Sequence, residues 1–143
     1  MHDPCTSALI MQSSHHKGRA AESLAADWFL NHKTAKLLAQ NYTCKWGEID
    51  LIFEETLGER RVGEKSFSEL VFVEVKSKAE STWLDGDHRI GWQKHRRLSR
   101  TANRFLLNYT GPAKTIRFDL LSWNGQSWKH IPHAWTEDSA SNF

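Results

Sequence analysis

Apolar residues recur along the chain with two different periods, and these predict the order of its helices and strands. Over residues 17–32 they follow the spacing of one helix face, which predicts a first helix. The members of this stripe are Ala21, Leu24, Ala25, Trp28, Phe29 and His32. Glu22 falls at the edge of the stripe, beside Phe29. We expect its carboxylate at the rim of the core, facing along a sheet.

Apolar and alternating segments predict five strands and a second helix. The helix covers residues 93–109, with Leu98, Ala102, Phe105, Leu106 and Tyr109 as its apolar stripe. The strands are predicted at 36–42, 47–53, 70–76, 116–123 and 126–135. Asn124-Gly125 indicates a type I′ hairpin between the last two strands. The order of helix, strands, helix and strands predicts an α/β fold, with a central mixed sheet flanked by helices.

Polar segments separate these elements and define the domain boundaries. Residues 54–68 are interpreted as a long, exposed hairpin arm with turns at Gly58 and Gly63. Residues 77–92 show no periodicity and are predicted to form a loop, which at this length is often functional. We expect a flexible tail over 1–16, a single domain over 17–135 and a second tail over 136–143.

Composition restricts the class of protein. The chain has 143 residues, 25% of them charged and 39% hydrophobic, as in an ordinary soluble domain. No apolar run approaches the ~20 residues of a membrane span, and the first residues lack the pattern of a signal peptide. Cys5 and Cys44 form no disulfide framework, so we expect reduced thiols and a cytoplasmic protein that does not bind membranes.

Charge is distributed unevenly, although the formal net charge is only +2. Residues 88–118 contain eight Lys or Arg and no Asp or Glu, whereas residues 54–69 contain five Glu. A basic surface of this kind suits a polyanion, and nucleic acid is the first candidate. The alternative is a pair of solvated faces that balance each other.

The most informative chemical feature is Asp50, followed 24 positions later by Glu74-Val75-Lys76. Side chains alternate between the two faces of a strand, so Glu74 and Lys76 share one face. If the two strands pair as a hairpin, both meet Asp50 at one place. Mg²⁺ prefers oxygen ligands and needs only one or two carboxylates, and a nearby lysine can stabilise transition-state charge. The alternative is that these charges at strand ends are merely solvated.

The second predicted helix carries the basic residues on the side opposite its apolar stripe. Arg96, Arg97, Arg100 and Arg104 fall within one narrow arc of the helix. We expect these four arginines to contact DNA phosphates. Lys94 is on the apolar side near the helix start, where it either extends to solvent or points at an anion.

Together these residues resemble the active site of the PD-(D/E)xK nuclease superfamily, whose core is restriction-endonuclease-like. The closer resemblance is to the YraN-like family, UPF0102, which is similar in core to archaeal Holliday-junction resolvases. It is carried by the segments 17–22, 47–52, 72–76 and 117–119, and by Lys94 with Leu98 and Ala102. It covers about residues 17–135, and the hairpin motifs of Asp50 and Glu74 are its most specific part.

The resemblance implies roles for individual residues. Glu22, Asp50, Glu74 and Lys76 would be catalytic, with Asp50 and Glu74 as ligands of Mg²⁺ or Mn²⁺ and Lys94 as a phosphate contact. The implied activity is a metal-dependent endonuclease acting on branched or flapped DNA as a homodimer. Two departures stand out: Ile49 replaces the proline that names the superfamily motif, and the arm after the Asp50 strand is unusually long and acidic.

Other interpretations remain open at this point. The chain could be a nucleic-acid-binding module that keeps the nuclease fold without cleaving, or an interaction protein whose carboxylate cluster is a relic. A zinc site at His130 and His133 lacks further ligands in the sequence. Trp83 and Trp92 are candidates for stacking on unpaired bases. Arg117 and Asp119 share a strand face, where they form either a structural ion pair or part of a site.

Overall fold

The computed structural model describes residues 14–58, 63, 65–77 and 92–135, with the backbone alone for residues 14–18 and 92. Residues 1–13 of the tail predicted over 1–16, the predicted tail over 136–143 and most of the 77–92 loop therefore lie outside the described residues. The elements are α1 (Ser14–His32), β1 (Ala35–Cys44), β2 (Gly47–Leu57), β3 (Phe67–Lys76), α2 (Trp92–Leu106), β4 (Thr115–Trp123) and β5 (Trp128–Trp135).

The five strands form one sheet in the order β1-β2-β3-β4-β5. The pairs β1–β2, β2–β3 and β4–β5 are antiparallel, whereas β3 and β4 run parallel. A parallel pair needs a long crossover connection, and α2 lies within that connection. The prediction of an α/β fold with a mixed sheet flanked by helices is confirmed, and the arrangement is consistent with a restriction-endonuclease-like core.

Each helix covers one face of the sheet with its own hydrophobic cluster. The alternation of β2 and β3 explains this, because successive side chains point to opposite faces. Leu51, Phe53, Val71 and Val73 pack with Ala25, Ala26 and Phe29 of α1. Ile52, Leu70 and Phe72 pack with Leu98 and Ala102 of α2 on the other face.

The two helices differ in detail from their predicted forms. The structure begins α1 at Ser14, three residues before the predicted start, and ends α2 at Leu106 instead of residue 109. Leu24 was assigned to the apolar stripe of α1 but is 61% exposed, because the buried face is centred on Ala25, Ala26 and Phe29.

The predicted arm over 54–68 is shorter than expected, because β2 continues to Leu57 and β3 begins at Phe67. Some of the glutamates in and beside this segment are also buried. Glu55 and Glu69 are buried and accept hydrogen bonds from Arg117, and Glu54 accepts one from the Tyr109 hydroxyl at 2.7 Å. The interpretation of these glutamates as an exposed acidic surface is therefore wrong. Glu59 and Glu64 lie outside the described residues.

The last hairpin is also looser than predicted. A four-residue connection, 124–127, joins the paired residues Trp123 and Trp128, in place of a two-residue type I′ turn. The Asn124 side-chain oxygen accepts hydrogen bonds from the backbone N–H groups of Gln126 and Ser127, both at 2.8 Å. This side-chain turn competes with the tighter backbone turn. In the described part of the chain, no helix is long and apolar enough to cross a membrane.

Candidate metal and nucleic-acid site

The candidate site begins where β2 and β3 stop pairing. Their register runs from Leu57↔Phe67 to Leu51↔Val73, as a hairpin of these two segments requires. Beyond that point the Val75 backbone N–H donates a hydrogen bond to Asp50 Oδ2 at 2.8 Å. A side-chain carboxylate thus takes the place of a backbone carbonyl at the end of the ladder. This bond orients the Asp50 carboxylate at the sheet end.

Three carboxylates converge at this end of the sheet. Glu22 reaches it from α1, and Glu48 and Asp50 reach it from the start of β2. One oxygen atom from each lies within 4.8 Å of the other two. Glu22 is only 7% exposed, which agrees with its predicted position at the rim of the core. Such a cluster is compatible with a metal site, since hard divalent cations prefer carboxylate oxygens.

Glu74 lies beside this cluster but has different partners. Its Oε1 atom accepts a short hydrogen bond from Lys94 Nζ and lies 3.7 Å from Lys76 Nζ. The carboxylate is largely buried, whereas the Lys94 side chain is partly exposed. The β3 motif and α2 are therefore joined through Glu74. The predicted roles of Asp50 and Glu74 as a ligand pair, and of Lys94 as a phosphate contact, stay predictions.

Burial and mutual repulsion change the protonation of the cluster. Burial raises the pKa of Asp50 to about 9, and the negative charges of Glu74 and Glu22 add to the effect. Burial is also the main cause that raises the pKa of Glu22. The pKa of Lys94 would fall on burial, but its contact with Glu74 outweighs this and raises it. At neutral pH, Asp50 therefore holds a proton that a cation can replace.

The residues present fit a divalent cation. Glu22 Oε2 is buried and has no hydrogen-bond partner in the described part of the chain. Leaving such an oxygen unsatisfied costs about 1–3 kcal/mol, which a bound cation would recover. Among the described residues, four carboxylates, those of the cluster and Glu74, lie near two ammonium groups, Lys76 and Lys94. Both the unsatisfied oxygen and the surplus of acid favour a cation at this place.

Beside the carboxylates, α2 exposes the predicted arginines. Arg96, Arg97, Arg100 and Arg104 are all exposed. An open pocket of about 430 Å³ lies against the first three, and its lining residues are Lys45, Trp46, Gln93, Arg96, Arg97 and Arg100. Lys45 and Trp46 belong to the β1–β2 turn. The helix and this turn therefore form one basic surface.

Four of these functional candidates, Lys45, Trp46, Glu48 and Gln93, were not predicted as site residues. Glu48 shares a strand face with Asp50, and this alternation could have indicated it. Trp46 stands in a turn, where no periodicity marks it. The next residue, Gly47, lies close to Thr101 and Arg97 of α2, and its backbone φ of +151° favours glycine.

Other residues considered from the sequence have structural partners. Arg117 bridges Glu55 at 2.5 Å, Glu69 at 3.0 Å and Asp119 at 2.8 Å, and is itself buried. His130 Nε2 lies 2.7 Å from Asp119 Oδ2, so this histidine belongs to the same network. Burial would raise the pKa of Asp119, but hydrogen bonds with His130 and Arg117 lower it overall.

His133 is exposed and donates only its backbone N–H to Asp119, at 3.2 Å, so a zinc pair with His130 is not favoured. Trp83 and the side chain of Trp92 lie outside the described residues. Their predicted role in base stacking therefore stays a prediction.

The fold and site define an α/β protein with a carboxylate and lysine cluster at one end of a mixed sheet. Residues 21–122 match the model of a family described as "Uncharacterised protein family UPF0102". A UPF0102 protein of Legionella pneumophila is 35% identical over 112 residues, which cover 78% of this chain and 85% of that protein. One from Myxococcus xanthus is 32% identical over 122 residues, covering 82% and 86%.

The chain belongs to the UPF0102 family, as its resemblance predicted. The matched span contains the three clustered carboxylates, the Glu74 motif and the whole of α2.

Proposed function

We propose that this protein is a metal-dependent DNA endonuclease that hydrolyses phosphodiester bonds, with branched and flapped DNA as its first candidate substrates. The observation that carries the proposal is the cluster of Glu22, Glu48 and Asp50, whose buried Glu22 oxygen lacks a partner, beside Lys76. The free thiol of Cys44 fits the cytoplasm as the place of action.

Mg²⁺ or Mn²⁺ is the ion we assign to the cluster, because each accepts carboxylate oxygens and retains open positions for water and phosphate. When bound, the ion supplies Lewis acidity toward a phosphate oxygen and a water molecule. The residues of the chain bind and position this ion. Asp50, held by the Val75 N–H, and Glu22 bind and orient the ion, and Glu48 adds an exposed ligand at the entrance.

Lys76 is assigned to the reacting phosphate. Its ammonium lies 3.7 Å from Glu74 Oε1, so the carboxylate holds the lysine at the carboxylate cluster. From there it can orient the attacking water and stabilise the charge that develops on the phosphate. Lys94 contacts the same carboxylate oxygen from α2, and its exposed part can meet a neighbouring phosphate. The arginines of α2 then bind the DNA backbone without reading its sequence.

A second candidate function is a binding module that keeps the fold but does not cleave. The ion pairs of Glu74 with Lys94 and Lys76 favour this function. In these pairs, the charged groups that catalysis would need neutralise one another. In this case the basic surface would bind DNA without cleavage.

Cleavage assays distinguish the two functions. Linear, flapped and four-way DNA are incubated with the protein in Mg²⁺ or Mn²⁺, and we expect at least one to be cut. Lys76→Met keeps the length of the side chain but removes its charge, so cleavage should fall by about a hundredfold or more. DNA affinity should hold, because the arginines are intact.

Lys65→Met is the matched control, since Lys65 is an exposed lysine near the opposite end of β3. Its cleavage rate should equal that of the wild type. If the wild type binds DNA but cuts none of the substrates with either metal, the binding module is the correct function. Equal cleavage by Lys76→Met and wild type would show that the activity does not belong to this site.

A further inference from the structure

We propose that the pocket between the β1–β2 turn and α2 is a subsite for a nucleotide whose base is unpaired, with Trp46 as the stacking platform. The proposal rests on the proposed function only for its choice of nucleic acid as the ligand. It specifies the substrate further, because a base can reach Trp46 only from a single-stranded segment such as a flap or a branch.

The lining of the pocket has the composition of a nucleotide site. Four of its six lining residues are cations, none is acidic, and Gln93 offers an amide that can pair with a base edge. The cations can neutralise the phosphates on either side of one nucleotide. Proteins that bind single strands combine such a basic groove with exposed aromatic rings.

Trp46 is held in place yet remains accessible. The residue is 40% exposed, and its backbone N–H donates to Cys44 Sγ at 3.4 Å. Lys45 Nζ lies 4.7 Å and the Arg100 guanidinium 5.0 Å from the ring centroid. An exposed cation–π contact is worth about 0.5–1 kcal/mol, whereas stacking on a base is worth about 1–3 kcal/mol. A base can therefore displace a cation from the ring, and that cation remains near the phosphates.

The pocket continues as a groove along α2. A second open pocket, of about 390 Å³, shares Trp46 and Arg100 with the first, and its other lining residues are Asn103, Arg104 and Leu107. Trp46 thus lines two neighbouring basic pockets. A single strand of nucleic acid that stacks on its ring can continue into both of them. This arrangement explains why the arginines extend as far as Arg104.

The subsite also adjoins the carboxylate cluster through the chain itself. Trp46 precedes Gly47 and Glu48, and two residues span at most about 7 Å. Thr101 and Arg97 of α2 lie close to Gly47, so this part of the chain runs next to the helix. A nucleotide stacked on Trp46 therefore places its neighbours along the strand at the entrance of the carboxylate cluster.

The test measures binding of fluorescent DNA by anisotropy in EDTA, so that cleavage plays no part. Single-stranded oligothymidylate and a blunt duplex are compared for the wild type, Trp46→Leu and Trp46→Phe. Loss of one stacked base should weaken binding of the single strand by at least about fivefold in Trp46→Leu. Duplex affinity should stay within about twofold, and Trp46→Phe should recover most of the single-strand affinity.

Phe67→Leu is the matched control, because Phe67 is a 55% exposed aromatic residue at the far end of β3. It should bind both probes as the wild type does. The subsite is refuted if the wild type binds neither DNA, or if Trp46→Leu weakens both equally or neither. If the protein cleaves DNA but Trp46→Leu binds the single strand as the wild type does, the nuclease function stands and the subsite is refuted. If Trp46→Leu selectively loses single-strand binding but the wild type cleaves no DNA, the subsite stands and the nuclease function is refuted.

Discussion

Replacement of Asp50 by asparagine should make the metal-free protein more stable in mildly alkaline solution. Asparagine has the shape of a protonated aspartic acid. Its side-chain oxygen can still accept the Val75 N–H, which donates to Asp50 at 2.8 Å, and its amide can donate to Glu22. The variant therefore keeps the contacts of the protonated acid and cannot acquire its buried charge.

The magnitude follows from the pKa of Asp50, which burial raises from 3.8 to about 9. Between these two values the folded protein holds a proton that the unfolded chain has released. The free energy of unfolding then falls as the pH rises, by up to about 1.4 kcal/mol per pH unit from this group. The loss begins above the unfolded pKa and is complete once the pH passes the folded pKa.

Thermal unfolding followed by circular dichroism in EDTA, from about pH 6 to about pH 8, measures this effect. The wild type should lose up to roughly 3 kcal/mol, or about 10 °C in Tm, relative to Asp50→Asn. Asp27→Asn removes an exposed carboxylate of α1 and should follow the wild type. Parallel curves for the wild type and Asp50→Asn would refute the argument that Asp50 is buried as an acid.

Three further predictions concern metal binding, the buried network and the basic helix. Calorimetric affinity for Mn²⁺ should rise with pH by up to about tenfold per unit below the pKa of Asp50, since the ion displaces its proton; pH-independent affinity would contradict this. Arg117→Met should lower the free energy of unfolding in urea by about 3–5 kcal/mol, because three buried carboxylates lose their partner, whereas exposed Lys129→Met should not. Each of Arg100→Glu and Arg104→Glu should flatten the salt dependence of DNA binding by at least about one unit of slope; an unchanged slope would make these arginines only a solvated face.

The hairpin at the centre of the site was predictable because its residues carry a strong local pattern. Val71, Val73 and Val75 alternate with Phe72 and Glu74. Side chains of a strand alternate between its two faces, so this pattern indicates a strand. A register follows once two such strands are adjacent. The end of pairing at Asp50 was not predictable, because it depends on a side chain replacing a backbone acceptor.

Features that depend on three or more elements could not be predicted. Arg117 on β4 neutralises Glu55 on β2 and Glu69 on β3, and no local spacing connects these residues. The glutamates therefore resembled an exposed acidic arm. The exposure of Leu24 was missed for a related reason, since a helix stripe does not show which of its edges faces the sheet.

The central claim is that Glu22 of α1 and the carboxylates at the start of β2 hold a metal ion with which the protein cleaves DNA. Single-turnover cleavage of a labelled branched DNA in Mn²⁺ and in EDTA, by the wild type, Asp50→Asn and the control Asp27→Asn, tests it most directly. The account predicts equal, strictly metal-dependent rates for the wild type and the control, and a rate lower by about a hundredfold or more for Asp50→Asn. Cleavage that persists in EDTA, or that Asp50→Asn performs as fast as the wild type, would contradict it.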